Sequence, residues 1–274
     1  MNNPFTQRVL IAAFLGLVLL FPIRYGLASE PLSFGVLNQQ PAAETAALWN
    51  PILQYLNTKT GLALRLKMGT TVQETDAMTA RGEFDFLYSN HNFDPEYAQA
   101  NYRPLVQWGG HPLVGQIVVL ADSPMTSLKQ LEGKTVAFPS KDAFIAYQVT
   151  RHALKQADIQ IQPVFGASQQ GAAVQLQTGR ADAASLNKLF ADRFQSEGKG
   201  KFRVLFESDA WPNIPVQAHP RIAKADAESV RQALVKMNDD PEGKALLAKL
   251  KIPGFLPVAD SDYSKTRLLY KETF

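Results

Sequence analysis

The sequence predicts a two-lobed α/β protein, each lobe a mostly parallel sheet flanked by helices, with two hinge crossings. Three observations point there. From Leu32 onward short β-rich runs alternate with amphipathic helical stretches, the pattern of strand–helix–strand units. A block of residues echoes itself at a fixed separation of 97. Two turn-rich stretches, Trp108–Pro112 and Asp209–Pro215, bracket the later copy of that block.

Residues 1–28 read as a leader. Arg8 precedes an unbroken apolar run, Val9–Phe21, and small residues follow near Gly26 and Ala28. Those 13 residues fall short of the ~20 that cross a bilayer, so a cleaved secretory signal is expected, with a retained anchor as the alternative. The absence of cysteine excludes lipoprotein attachment and disulfides. Without the leader, 26 basic residues face 25 acidic ones, so the chain carries no electrostatic footprint for nucleic acid. The densest basic group, Lys199, Lys201 and Arg203, reads as a solvated loop.

Candidate strands are Leu32–Val36, Leu64–Met68, Phe84–Tyr88, Gln116–Ala121, Thr135–Phe138, Ile161–Phe165, Ala181–Ser185 and Phe202–Phe206. Between the first two, Leu48, Trp49, Ile52, Leu53 and Leu56 recur at helical spacing, predicting a helix over Thr45–Lys59 that Gly61 stops. Thr71 and Glu74 form a capping-box pattern opening the next helix, which ends at Gly82. Helices are also expected over Ala143–Ala157 and Gly171–Thr178, and over Ala225–Leu250 with an interruption at Pro241.

In the echo, Thr71 corresponds to Ser168, Gly82 to Gly179, Asp85 to Asp182 and Asn90 to Asn187. Two lobes built on one plan account for it. The turn-rich stretches then serve as crossings, giving 29–115 as the first part of lobe 1, 116–209 as lobe 2 and 210–274 as a return to lobe 1.

Ligands of open α/β sheets gather at the carboxyl ends of strands, where helix N-termini offer free N–H groups. The loops meeting that description carry Gln39; Thr70 and Thr71; Ser140, Lys141 and Asp142; and Ser168, Gln169 and Gln170. Tyr88 and Asn90 end one strand in a polar run, and Asn187 is the echo of Asn90. Lys141 can meet an anion, and Asp142 can cap a helix or meet an amine. Each hydroxyl is also an ordinary helix cap.

No catalytic set assembles. Gly166–Gly171 has one residue too many for a nucleophile elbow, and neither a Walker loop nor a dinucleotide fingerprint occurs. His91, His111, His152 and His219 lack paired metal-ligand spacing, so neither a metal nor a cofactor is expected.

Phe34–Val36, Trp49–Pro51, Thr60–Gly61, Gly82–Asp85, Gly133–Phe138, Gly179–Asp182 and Pro212–Pro215, in this order and spacing, resemble the phosphate/phosphite/phosphonate-type periplasmic binding proteins of ABC transporters. That resemblance implies the type 2 periplasmic-binding fold and a monomeric, non-enzymatic protein of the periplasm. It would capture a small polar or anionic ligand, a phosphonate- or phosphate-like oxyanion, and hand it to an ABC permease. A receptor reporting to a sensor kinase is an alternative, and an enzyme on the same fold a more remote one. The family's ligand tyrosine corresponds to Tyr88. Its Ser-Thr-Ser loop is replaced by Ser140, Lys141 and Asp142, and its Ser-His-Asp turn by Ser168, Gln169 and Gln170.

Overall fold

A computed structural model describes residues 30–37 and 41–273. The expected leader and Gln39 lie outside the described residues. The chain opens with β1 (Leu32–Val36), α1 (Ala42–Thr60), β2 (Leu64–Lys67), α2 (Val72–Ala80), β3 (Phe86–Tyr88) and β4 (Arg103–Trp108). β2 and β3 flank β1 in parallel register, Leu32 opposite Leu64 and Val36 opposite Tyr88. α1 buries Trp49, Ile52, Leu53 and Leu56 on this sheet, with Trp49 5.4 Å from Phe34 and 4.8 Å from Tyr88 between ring centroids. Such aromatic pairs each contribute ~0.5–1.5 kcal/mol beyond the area they bury. Gly61 stops α1 in the left-handed conformation, as its position predicts.

A second sheet follows: β5 (Gly115–Leu120), β6 (Thr135–Phe138), a π-helical turn (Phe144–Val149) running into α3 (Thr150–Gln156), β7 (Gln162–Phe165), α4 (Gln169–Gln177), β8 (Ala183–Asn187), α5 (Lys188–Ser196) and β9 (Phe202–Glu207). Its order is β7-β6-β8-β5-β9. The chain then returns through β10 (Pro215–Ala218), α6 (Lys224–Lys236), α7 (Pro241–Leu250), β11 (Phe255–Pro257) and α8 (Ser264–Thr273), completing a first sheet of order β11-β4-β10-β3-β1-β2.

Both sheets are mixed. The parallel core expected from the strand–helix alternation is there in each, β2-β1-β3 and β7-β6-β8. The remaining strands are added by successive antiparallel pairings, β10 on β3, β4 on β10 and β11 on β4 in the first sheet, β5 on β8 and β9 on β5 in the second.

The two cores share details at echoed positions. Thr71 and Ser168 are N-caps whose hydroxyls accept the Glu74 and Gly171 N–H groups. Gly82 and Gly179 turn the chain at φ 68° and 70°, a region that costs a residue with a Cβ. Asp85 Oδ2 accepts the N–H of Ser33 at the start of β1, and Asp182 Oδ2 that of Thr135 at the start of β6. The acid of each Gly-x-x-Asp thus ties down the strand beside it. In place of the expected capping box, Glu74 reaches back one residue further, accepting the N–H and O–H of Thr70.

The segments joining the sheets are bonded to each other. Leu113 and Trp211 exchange both backbone hydrogen bonds, at 2.9 and 2.8 Å. Gly115 N–H donates to Ser208 Oγ, while Ser208 N–H donates to the Gly115 carbonyl. At Gly115 a Cβ would lie 2.4 Å from the Ile145 carbonyl oxygen, so the π-helical turn closes on the crossing only because that residue is glycine. The sequence period predicts an ordinary α-helix there. An apolar cluster backs the crossings: Phe93 of the first lobe, Phe144 and Val149 of the second, Trp211 between them, and Tyr263 and Tyr270 of the C-terminal segment.

Candidate functional site

At the carboxyl ends of β1 and β3, Leu37 N–H donates to the Tyr88 carbonyl, holding the loops side by side. Tyr88 is 1% exposed, packed between Trp49 and Trp108, whose ring stacks on it at 5.6 Å and 16°. Burial pushes its phenol far up, so it stays protonated. After Tyr88 the polar run is largely tied into the fold. Ser89 Oγ accepts the His91 N–H, and His91 Nδ1 lies 3.0 Å from Asp76 Oδ2. Asn92 and Gln217 exchange amide hydrogen bonds at 3.0 and 2.8 Å. Asn90 is buried at the start of a single 3-10 turn, where its carbonyl accepts the Phe93 N–H.

Thr70 and Thr71 follow β2. Both hydroxyls are engaged with Glu74, Thr71 as acceptor and Thr70 as donor. The Thr71 hydroxyl keeps its own proton to donate.

In the second lobe Ser140, Lys141 and Asp142 follow β6. The Lys141 side chain is exposed, and its carbonyl accepts the Gln148 Nε2–H at 2.8 Å. Ser168, Gln169 and Gln170 follow β7. Ser168 caps α4 and Gln170 is exposed, while Gln169 Oε1 accepts the Asn187 N–H at 2.9 Å. Asn187 in turn caps α5 through the Leu189 N–H. Gln169 and Asn187 are therefore in direct contact.

Electrostatics links the two sets of loops. The Tyr97 phenol, beyond β3 in the first lobe, is pushed up to about 12 by burial and then by Glu96, Asp76, Asp142 and Asp94. Asp142 belongs to the second lobe, Asp76 and Asp94 to the first. Tyr270 of α8 is likewise raised, by burial and then by Asp94, Asp142 and Asp76. Asp142 thus adds to the negative charge felt by a tyrosine beyond β3 and by one on α8.

Sequence reasoning passed over Trp108, Asp76 and Tyr97. Trp108 was legible only as part of a turn-rich crossing, because the strand it ends, β4, was not among the candidates. Asp76 sits inside α2, and its partnership with His91 spans 15 residues, beyond any local pattern.

A cavity of about 330 Å³ lies away from these strand ends, between α3, the second crossing and α8. Among the described residues no group of three or more His, Cys, Asp or Glu is placed to hold a metal ion. No described helix is long and apolar enough to cross a membrane.

Residues 34–263 match the family described as ABC transporter, phosphonate, periplasmic substrate-binding protein. The chain belongs to this family. Solved structures agree on the fold of a phosphonate-type periplasmic binding protein. It is similar to XAC2383 from Xanthomonas citri bound to ATP, with TM-score 0.76 and 18% identity over 89% of this chain and 97% of that one. A binding protein component of an ABC phosphonate transporter, PA3383 from Pseudomonas aeruginosa, gives TM-score 0.69 and 17% identity over 89% and 87%. PhnD1 from Prochlorococcus marinus, in complex with methylphosphonate, gives 0.70 and 13% over 88% and 97%. No curated protein matches the sequence. Family membership makes this a substrate-binding protein, of a family that serves transport in the periplasm.

Proposed function

We propose that the chain captures a small organic oxyanion, of the phosphonate or phosphate-ester kind, between its lobes and presents the closed form to an ABC permease without chemical change. What supports the reading is the close approach of the two lobes, where Phe93 and Phe144 share one apolar cluster and Asp142 of one lobe acts on Tyr97 of the other. The second lobe supplies the anion side: the Lys141 ammonium, and the hydroxyls of Ser140 and Ser168, the latter at the N-terminus of α4. Carboxylates at Asp76, Asp94 and Asp142 make the rim unlike a uniformly cationic trap, which favours a ligand carrying a modest charge on an organic body. The methylphosphonate held by PhnD1 and the ATP held by XAC2383 share the required phosphorus oxyanion. Closing follows from the ligand's greater affinity for the closed form.

The test is a thermal-shift and calorimetric screen of the purified protein with phosphate, alkylphosphonates, phosphate monoesters and alkylsulfonates. A binder at 100 times its dissociation constant stabilises the fold by ~2.7 kcal/mol. Ser140→Ala and Lys141→Ala are expected to weaken it about tenfold each while leaving the ligand-free unfolding midpoint within a degree or so, and unchanged affinity in both removes this loop from the site.

A further inference from the structure

The cavity of about 330 Å³ between α3, the second crossing and α8 shares no lining residue with the strand-end loops. Its volume sits at the lower end of the ~300–1,000 Å³ that small-molecule pockets occupy. Val149 and Ala153 form one wall, Phe206 and Trp211 a second, Leu268 and Leu269 a third. Leu268 leaves 53% of its surface in water, whereas the other five side chains are buried or half-buried. A large aliphatic side chain exposed beside an apolar hollow gains from any apolar body that settles over it.

Charge decides what kind of body fits. Lys265 Nζ shows where a cation rests, 4.6 Å from the centre of the Trp211 ring and 2.7 Å from Asp209 Oδ2. Indole is the aromatic face that attracts cations best. Both members of the Lys265–Asp209 pair are exposed, so water screens it and little is lost when Lys265 swings out. Of the other carboxylates in the described lining, Glu207 is engaged by Lys188 and Gln116, while Glu272 lies 3.6 Å from His152 Nε2. Asp209 and Glu272 therefore face a single lining side chain, Lys265, that is always charged at neutral pH. A ligand ammonium takes the lysine's place over Trp211 and Asp209, and its apolar body fills the hollow and covers Leu268. An organic anion would have one lysine to hold it and two carboxylates to oppose it.

We infer that this cavity is a second ligand site, apart from the oxyanion cleft, for an organic cation: a primary ammonium on an aromatic or aliphatic body. One of its walls is the crossing itself. Ser208 lines the cavity and is bonded to Gly115 of the other crossing, as Trp211 is to Leu113. The bound cation thus packs directly on the paired connections, and its binding does not depend on what the cleft holds.

The experiment is calorimetry on the full chain with three probes: 2-phenylethylammonium; 3-phenylpropionate, which carries the same ring on an anion; and ethylammonium, which carries the charge without the ring. The wild type should bind 2-phenylethylammonium one to one and at least tenfold more tightly than either of the others. Lys265→Ala should tighten that binding about threefold, because it removes the competing cation, whereas Glu272→Gln should weaken it about threefold. Ala153→Leu, which fills the hollow, should weaken it at least tenfold. Leu268→Gln, at an exposed position that leaves the ligand-free unfolding midpoint unchanged, should weaken it about threefold. Equal or tighter binding of 3-phenylpropionate, weaker binding by Lys265→Ala, or no binding of 2-phenylethylammonium at millimolar concentration overturns the site. So does a wild-type dimer that Leu268→Gln separates in sedimentation, which assigns this face to a second copy of the chain.

Discussion

Asp85 and Asp182 occupy equivalent places in the two sheets but are embedded to different depths, and alanine at each measures the difference. Asp85 Oδ2 accepts the N–H and O–H of Ser33 at 2.7 and 2.8 Å, and Oδ1 accepts Arg221 Nε at 2.8 Å. Its side chain is 16% exposed, and Arg221 also donates to the Gly82 carbonyl. Asp182 is exposed and holds one bond of this kind, from Thr135 N–H at 2.9 Å. Asp85→Ala strands a half-buried backbone donor, costing ~1–3 kcal/mol. It also removes a contact with a largely solvated guanidinium, worth at most ~1 kcal/mol. Together these give ~1–4 kcal/mol, against ~0.5–1.5 kcal/mol for Asp182→Ala, where water replaces the carboxylate. Urea unfolding followed by circular dichroism reads both losses from shifts in midpoint at constant slope. The pH dependence supplies a second check. Burial pushes the Asp85 carboxyl up, but hydrogen bonds from Ser33 N–H, Arg221 and the Ser33 hydroxyl outweigh it and hold the group below its ordinary value. A carboxyl depressed in the folded state adds stability that is fully present above its unfolded value of ~3.9 and is lost as pH falls through the folded one. The gap between wild type and Asp85→Ala should therefore narrow as pH falls from 5 toward 3. Equal losses for the two variants, or a gap constant with pH, would refute the reasoning.

Two further substitutions probe the paired connections between the sheets. Gly115→Ala forces a methyl to within 2.4 Å of the Ile145 carbonyl oxygen and should cost ~1–3 kcal/mol in thermal or chemical unfolding. The buried Tyr263 hydroxyl donates to the Asn213 carbonyl at 2.8 Å, so Tyr263→Phe should cost ~0.5–1.5 kcal/mol, measured as a drop in midpoint by circular dichroism.

The parallel cores were legible because their signals are local. Thr71, Gly82 and Asp85, like Ser168, Gly179 and Asp182, fix caps, a left-handed turn and a tie to the neighbouring strand within a short window. The antiparallel strands were not. β10 carries Gln217 wholly buried, its amide satisfied by Ser89 and Asn92 some 125 residues away, so it shows no alternation of apolar and polar positions. β4 contains Pro104, which reads as a strand breaker, and β11 has three residues. The C-terminal helix α8 went unread because Lys265, Arg267, Lys271 and Glu272 crowd its few apolar positions, and its packing partners Phe93 and Phe144 lie far along the chain. At the strand ends, residue type alone left Thr70, Thr71 and Ser168 poised between cap and contact; the structure engages Thr71 and Ser168 as helix caps, while Thr70 donates to the Glu74 carboxylate. Tyr88 was legible by position. Its setting between Trp49 and Trp108 depends on side chains 39 residues before it and 20 after it.

The hydrogen-bonded pairing of the two connections has a mechanical consequence. Separate tethers would let one lobe slide or swivel against the other. Because Leu113 is bonded to Trp211 and Gly115 to Ser208, sliding breaks four hydrogen bonds, whereas bending about the line between the two strands breaks none. The two connections thus act as one paired element, stiff to sliding and compliant to bending.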